Sequence, residues 1–304
     1  MQPEDLLWRR GPWEFLAGAP VPGVRGRWLR AVAMGAAGQY AAAAELLEGD
    51  DSSLASSLLA SHARQIGRHE DAERLDRAAL LAATTSEELA DATAGLVADA
   101  VGLNDSGGAR IRLEHAERAV GTAARPSAGP SAGPSAAPSA GPAARPNAEP
   151  NAEPNAESSD RPGDRPGAGW RAAIRLDWVR AELALLTGDT PAAIAAAAGA
   201  LAAARAAKAP RHVIKSLLIS GVARGAGGNG ELHLALQLAD RLRLPTLIWP
   251  AALVLAERGH GTADQARVAL RTVLAGLAPE QAATFVARPE INRLVISDRR
   301  STTS

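Results

Sequence analysis

Apolar residues recur at helical spacing along most of the 304-residue sequence, and the pattern is clearest in residues 55–83. In the first half of this stretch, Leu58, Leu59, Ala63 and Ile66 fall on one face of a helix. In the second half, small and apolar residues occupy one side, and acid–base pairs four residues apart occupy the other. Two amphipathic runs of this length cannot bury their apolar faces alone. The pattern therefore predicts a pair of helices that packs against similar neighbouring pairs.

The two runs meet at Gly67, where a helix end favours a residue with positive φ. Small residues fall at the four places where the helices of a pair approach closely: Ala60, Gly67, Ala72 and Ala79. With this set and the segment GRHEDAERLDRAAL, the stretch resembles the tetratricopeptide repeat family. His69 and Asp76 depart from that family, which has an aromatic and a large apolar residue at these places. The resemblance implies a helical-repeat fold and no reaction.

Looser copies of this unit occupy most of the remaining chain. A glycine followed five places later by alanine marks predicted turns at Gly38, Gly67, Gly188, Gly230 and Gly261. Thr85 and Glu88 have the spacing of a capping box, which predicts a helix start. Thr190 is predicted to cap another helix, with Pro191 in its first turn. Residues 1–20, which carry two tryptophans, are interpreted as a cap on the first repeat.

We therefore predict an all-α fold, a tetratricopeptide-like α-solenoid of antiparallel helix pairs. Its helical repeats are assigned to residues 1–121 and 169–296, followed by a flexible tail at 297–304. Residues 122–168 have a proline at nearly every fourth position and, apart from proline, no apolar side chain larger than alanine. This composition predicts a long disordered Pro/Ala/Gly/Ser-rich insert that links the two helical regions. A proline-rich ligand for an adaptor domain is the alternative interpretation.

Composition excludes several classes of function. The formal net charge is zero, which gives no electrostatic argument for binding nucleic acid or an anionic membrane. Cysteine is absent, so disulfides, thiolate metal sites and cysteine nucleophiles are excluded. We predict a cytoplasmic protein, because the N-terminal residues lack a signal-peptide pattern and the longest uncharged helical run is too weakly apolar to span a bilayer.

Two motifs that carry chemistry in other proteins are discounted. Residues 225–230 satisfy G-x-G-x-x-G, but a dinucleotide site requires alternating strands and helices, which the sequence does not indicate. A flexible turn between helices is the preferred interpretation. The six histidines are scattered singly, and none has the spacing of a zinc helix. No catalytic residue, cofactor site or metal ligand is therefore assigned.

The best candidate binding site is a basic patch at a predicted helix start. Its members are Arg205, Lys208, Arg211, His212 and Lys215. Both lysines of the protein lie in it, and Pro210 indicates a helix N-terminus, where free N–H groups favour anions. The patch is interpreted either as a clamp for an acidic peptide, a phosphate or a C-terminal carboxylate, or as an ordinary solvated turn. A second candidate, a ligand groove lined by tryptophans, competes with their interpretation as core anchors; these residues are Trp170, Trp178 and Trp249.

These features favour a non-enzymatic scaffold or adaptor that binds a partner protein or peptide in a groove of the helical repeats. The alternative is a regulatory domain that senses a small molecule enclosed by the tryptophans. No partner is identified by the sequence. A homodimer through the C-terminal face is left open, because residues 294–296 remain apolar near the end of the chain.

Overall fold

A computed structural model describes residues 3–123 and 169–294, which contain helices and no β-strand. A π-helical turn covers Leu6–Arg10, a 3₁₀ turn covers Gly225–Gly228, and residues 289–294 are helical. The α-helices are α1 (Pro3–Asp5), α2 (Pro12–Ala17), α3 (Gly23–Ala36), α4 (Tyr40–Leu46), α5 (Ser53–Gln65), α6 (His69–Ala82), α7 (Ser86–Gly102), α8 (Ser106–Ala123), α9 (Trp170–Leu186), α10 (Thr190–Ala206), α11 (Pro210–Ala223), α12 (Asn229–Arg241), α13 (Pro245–Glu257), α14 (Ala263–Ala275) and α15 (Pro279–Val286). Of the predicted insert, residues 124–168 lie outside the described residues, and α8 extends to Ala123.

The turns between helices are set by residues with left-handed backbone conformations. Gly38, Gly67, Gly188 and Gly261 have φ values of 85°, 79°, 78° and 68°, which glycine adopts without a Cβ penalty. Asn104, Lys208 and Arg243 have positive φ at the equivalent place in other turns. Four of the predicted turn glycines are thereby confirmed, and the turns that lack glycine explain why the sequence pattern was incomplete.

Two details of the predicted helix ends are corrected. Gly230 does not mark a turn but lies in the first turn of α12, and the left-handed residue before that helix is Gly225 at φ 57°. Thr190 does not cap α10, because the Asp189 carboxylate accepts a 3.0 Å hydrogen bond from the Ala192 N–H. The capping box of α7 is confirmed, since Thr85 accepts from Glu88 N–H and the Glu88 carboxylate accepts from Thr85 N–H.

Helices adjacent in sequence pack on each other as antiparallel pairs, so the fold is an all-α, tetratricopeptide-like solenoid. The first helix of each pair faces the inside of the solenoid, and the second helix covers it from outside. Helix α9 packs directly on α7 and α8, which lie on the other side of the 124–168 segment in the sequence. The two helical regions therefore stack into one superhelix. None of the described helices is long and apolar enough to cross a membrane.

The first and last repeats contact each other. One large hydrophobic core joins Ala36, Tyr40 and Ile66 to buried residues of α11–α15. Thr246 Oγ1 donates a 3.1 Å hydrogen bond to the Ala36 carbonyl, and the Ala41 N–H donates one of 2.9 Å to the Gly276 carbonyl. Because both ends share a core, the inner surface of the superhelix forms a central cavity that is partly open to solvent.

The N-terminal segment packs on α3, as predicted for a cap. Leu7 and Phe15 are buried against Trp28 and Leu29. The segment also reaches the C-terminal repeats, because Trp13 Nε1 donates a 2.8 Å hydrogen bond to the Arg243 carbonyl. At the other end, Leu294 is buried in the large core beside Phe285 and Ile291, so its side chain is not available to form a dimer interface.

The junction between the first and last repeats leads to a prediction for Gly276. A Cβ at this residue would lie 2.0 Å from the Gly38 carbonyl oxygen, with rigid backbone on the opposing side. We expect Gly276→Ala to lower the unfolding free energy by about 1–3 kcal/mol, as overpacking does, measured by urea denaturation. Gly230→Ala is the matched control, because its Cβ would meet nothing within 4 Å in α12. Alanine there should stabilise the helix by about 0.5–1 kcal/mol. Equal effects of the two substitutions would contradict the contact between the ends.

Candidate functional site

A cavity of about 420 Å³ lies at the centre of the superhelix. The first helices of the successive pairs, α3, α5, α7, α9, α11 and α13, supply most of its wall, together with Trp8 of the N-terminal segment. Such an arrangement follows from the stacking of helix pairs, since each pair turns the same helix inward. The volume lies within the range of ligand-binding pockets, about 300–1,000 Å³.

Four aromatic rings line this cavity: Trp8, Trp28, Trp178 and Trp249. The Trp8 and Trp28 ring centroids are 6.4 Å apart. Trp178 stacks on His212 at 5.4 Å, and its Nε1 donates a 2.8 Å hydrogen bond to Ser216 Oγ. Thus two of the three tryptophans in the predicted groove, Trp178 and Trp249, line the cavity. The third, Trp170, packs behind it against His212 at 5.0 Å.

Two arginines of α9 connect this aromatic wall to α7. Arg175 forms a 2.8 Å ion pair with Asp91, which is 3% exposed, and Arg171 lies 3.5 Å from the same carboxylate. Burial opposes ionisation of Asp91, but Arg175 and Arg171 outweigh it and lower its pKa. The Arg171 guanidinium also lies 4.7 Å from the Trp8 ring centroid and 5.2 Å from that of Trp28.

Arg64 of α5 lies in the cavity wall and holds two carboxyl groups behind it. Its Nη1 donates 2.6 Å hydrogen bonds to Asp76 and to Asp99, both of which are fully buried. Burial raises the pKa of both carboxyl groups, and the proximity of Asp76 helps to bring that of Asp99 to about 7. Gly95 makes room for Asp76, because a Cβ there would lie 2.1 Å from its Oδ2. The Asp76–Asp99 pair therefore shares a proton near neutral pH and acts as the counterion of Arg64.

The structure divides the predicted basic patch into two parts. Arg211, His212 and Lys215 line the cavity on α11. Arg205 and Lys208 are exposed at the end of α10 and in the following turn, away from the cavity wall. Lys215 lies 4.4 Å from the Trp178 ring centroid and 3.9 Å from a Glu182 oxygen. Its side chain is 37% exposed but faces the cavity, and burial lowers its pKa.

Arg211 differs from the other cations of the cavity. Among the described residues it forms no ion pair, and its buried Nε has no hydrogen-bond partner. Burial lowers the pKa of its guanidinium, although the group stays protonated at any physiological pH. Among the described residues of the wall, Arg211 is therefore the cation without a carboxylate partner.

Three histidines line the same cavity and are neutral at pH 7. Burial and the nearby Arg211 lower the pKa of His62 to about 3, and burial with several cations lowers that of His212 far below its ordinary value. Burial, Arg64 and Arg288 lower the pKa of His69 to about 4. The Nδ1 atom of each of these histidines is buried without a hydrogen-bond partner, as are Ser53 Oγ and Ser57 Oγ. Since native proteins satisfy nearly all buried polar atoms, these groups are available to water or to a ligand.

The other sequence motifs do not form sites. Residues 225–230 span a 3₁₀ turn and the start of α12, and no strand of the described chain precedes them. Gly228 is required for packing, since a Cβ there would lie 2.3 Å from the Gly221 carbonyl oxygen. Throughout residues 3–123 and 169–294, no three histidine or acidic side chains cluster as metal ligands would.

The remaining residues of the wall were not predicted to line a site, above all Trp8, Arg64, Asp91 and Arg171. A signal was present in α5 and α7, where polar residues interrupt otherwise apolar or small-residue faces. Buried polar groups of this kind often mark a polar interior. This signal could identify the cavity wall only once the inner face of each helix was known.

Comparisons with known proteins give matches to structures only. No protein-family model matches the sequence, and no curated protein sequence matches it. The crystal structure of a Rap protein complexed with Competence and Sporulation Factor superposes with a TM-score of 0.51 at 8% identity, covering 93% of this chain and 72% of that one. The apo form of RapI gives a TM-score of 0.38 at 10% identity, covering 91% and 75%. At such identities the first match supports the shared helical-repeat fold alone.

Proposed function

We propose that this protein binds a peptide segment of a partner protein in its central cavity and performs no reaction on it. The observation that carries the proposal is the polar inner wall, in which buried imidazole and hydroxyl groups lack partners beside four tryptophan rings. Aromatic rings supply contact area, and unpartnered polar groups supply hydrogen bonds that a peptide backbone can complete. Binding requires residues of both helical regions, 1–121 and 169–296, because helices of both line the cavity.

The distribution of perturbed acids supports binding over catalysis. Asp76 and Asp99 are the carboxyl groups whose pKa is raised, and a raised pKa is typical of catalytic acids. Both lie behind Arg64, fully buried and outside the cavity wall, where a substrate does not reach them. Their environment is explained by the need to compensate Arg64.

The likeness to the Rap structure adds support at the level of the fold. That Rap protein is in complex with Competence and Sporulation Factor. Extending ligand binding to this chain is part of our proposal. The second candidate, a small-molecule sensor, is favoured by the enclosure of the cavity and its size, since 420 Å³ suits a compact ligand.

The proposal is tested by blocking the cavity. Ser61 of α5 is half-buried in the wall, so Ser61→Trp fills space that a ligand would use. Ala78 of α6 is exposed outside the cavity, and Ala78→Trp introduces the same residue as a matched control. The full-length wild type and both variants would be used for affinity capture from native lysate, followed by mass spectrometry and native mass spectrometry of the eluate.

A protein that is retained by the wild type and by Ala78→Trp, and that is lost with Ser61→Trp, is the expected result. Circular dichroism and the melting temperature would check that Ser61→Trp remains folded. A small molecule bound in place of a protein would shift the function to the sensor. Equal capture by folded Ser61→Trp would show that the cavity is not the binding site.

A further inference from the structure

We propose that the ligand inserts a carboxylate into an anion subsite formed by Arg211, Lys215 and His62 in the cavity. The inference rests on the proposed function, because it names the chemistry of the ligand that the cavity holds. The carboxylate belongs either to an acidic side chain or to the C-terminus of the bound peptide.

The charges of the wall point to Arg211. The wall contains five cationic and three anionic side chains: Arg64, Arg171, Arg175, Arg211 and Lys215, and Glu88, Asp91 and Glu182. Arg64 is paired with the Asp76–Asp99 pair, the two α9 arginines share Asp91, and Lys215 lies near Glu182. The Glu88 carboxylate caps α7 by accepting backbone N–H bonds. Arg211 is left without a counterion in the described chain.

The surroundings of Arg211 form a built site rather than a surface charge. Arg211 and Lys215 are four residues apart and share one face of α11. On α5, in the wall of the same cavity, His62 is 7% exposed, and its unpartnered Nδ1 belongs to a neutral imidazole that can donate or accept a hydrogen bond. Arg211, Lys215 and His62 all line the same cavity, and the charge of Arg211 lowers the pKa of His62.

Physical chemistry favours an anionic group of the ligand here. A half-buried guanidinium whose Nε lacks a hydrogen-bond partner is costly, and a carboxylate recovers that cost through two parallel N–H···O bonds. Arg171 and Arg175 share the single carboxylate of Asp91, so the wall holds a further net positive charge besides that of Arg211. An unmodified peptide supplies carboxylates from Asp, Glu and its C-terminus, whereas a phosphate requires a modified side chain. The subsite is therefore assigned to a carboxylate.

The test is a display library of random heptapeptides, selected on the full-length protein. Selected peptides would be synthesised with free and with amidated C-termini, and with each Asp or Glu replaced by its amide. We expect removal of one carboxylate to weaken binding by about 30-fold or more, as for a desolvated ion pair. Comparing the peptide with an amidated C-terminus and the peptides with a side-chain amide identifies which carboxylate binds in the subsite.

Variants of the protein give the matching half of the experiment. Arg211→Gln should weaken binding of the same peptide by a similar factor. Once the carboxylate is removed from the peptide, the substitution should cause little further loss of affinity, because the two losses are coupled. Arg205→Gln, an exposed arginine neutralised in the same way, should leave the affinity unchanged. Arg211→Gln should leave the melting temperature of the free protein unchanged or raise it, since it removes a half-buried charge that has no counterion. A melting temperature that does not fall distinguishes lost recognition from a folding defect.

The outcomes separate this inference from the function on which it rests. In one outcome, selected peptides lose binding to Ser61→Trp but show no preference for acidic residues and bind Arg211→Gln as well as the wild type. That result would overturn the anion subsite and keep the proposed function. A library that yields no peptide for the wild type would count against both. Selection of acidic peptides whose affinity depends equally on Arg205 would assign the charge preference to the outer surface and also overturn the subsite.

Discussion

Replacing Arg64 by leucine is expected to lower the unfolding free energy by about 3–5 kcal/mol, the usual cost of removing one partner from a buried ion pair. The substitution leaves Asp76 and Asp99 fully buried without their shared donor, since Arg64 Nη1 bonds to both. The Gly95 carbonyl loses a 3.2 Å hydrogen bond from the same atom. Urea denaturation at pH 7, followed by circular dichroism, would measure the loss.

Two controls define the origin of that loss. Arg110→Leu removes an exposed arginine of α8 and should change stability by no more than about 0.5 kcal/mol. Asp99→Asn should leave stability at pH 7 unchanged or raised, because an amide keeps the shape of the protonated carboxyl and cannot ionise. If the Arg64→Leu variant proved as stable as the Arg110→Leu variant, the stabilising role assigned to Arg64 would be wrong.

The helical pairs could be predicted because their signals are local. Apolar spacing and Gly67 define α5 and α6 within a single stretch of sequence, and the structure has both helices. The departure at Asp76 could not be interpreted in the same way. A buried aspartate is tolerated there because Arg64 neutralises it and Gly95 leaves space for it, and these residues come together only in the folded chain.

The candidate site was predictable only in part for a related reason. Arg211 and Lys215 share a helix face, but the apolar residues of α11 surround the helix, so the sequence does not show which face turns inward. Arg205 belongs to another helix, and proximity in sequence did not place it in the cavity. The enclosure itself depends on contacts such as Thr246 with Ala36, 210 residues apart, for which periodicity carries no information.

Acid is expected to destabilise the protein through its neutral histidines. His62 and His212 have folded-state pKa values below the ordinary value of about 6.5, so between pH 6.5 and 5 the unfolded chain binds two protons that the folded chain does not. The Asp76–Asp99 pair acts in the opposite direction, because the folded state holds a proton below the Asp99 pKa of about 7 that the unfolded state has released. His69, which is partly exposed, adds to the histidine effect with the same sign.

His62 and His212 against one carboxyl give a net difference of one proton, and His69 raises it toward two, so the unfolding free energy should fall by about 1.4–2.7 kcal/mol for each pH unit below 6.5. Asp99→Asn removes the opposing proton and should steepen the fall by about a further 1.4 kcal/mol per unit. Urea denaturation at half-unit pH intervals would measure both slopes. The unfolding free energy of Asp99→Asn should exceed that of the wild type by the largest amount at pH 7, and this difference should disappear in acid. Parallel slopes would show that Asp99 is ionised throughout this range, and a flat wild-type profile would show that the cavity histidines are protonated in the folded protein. Either result would change the charge assigned to the cavity wall, and with it the kind of ligand that the wall can accept.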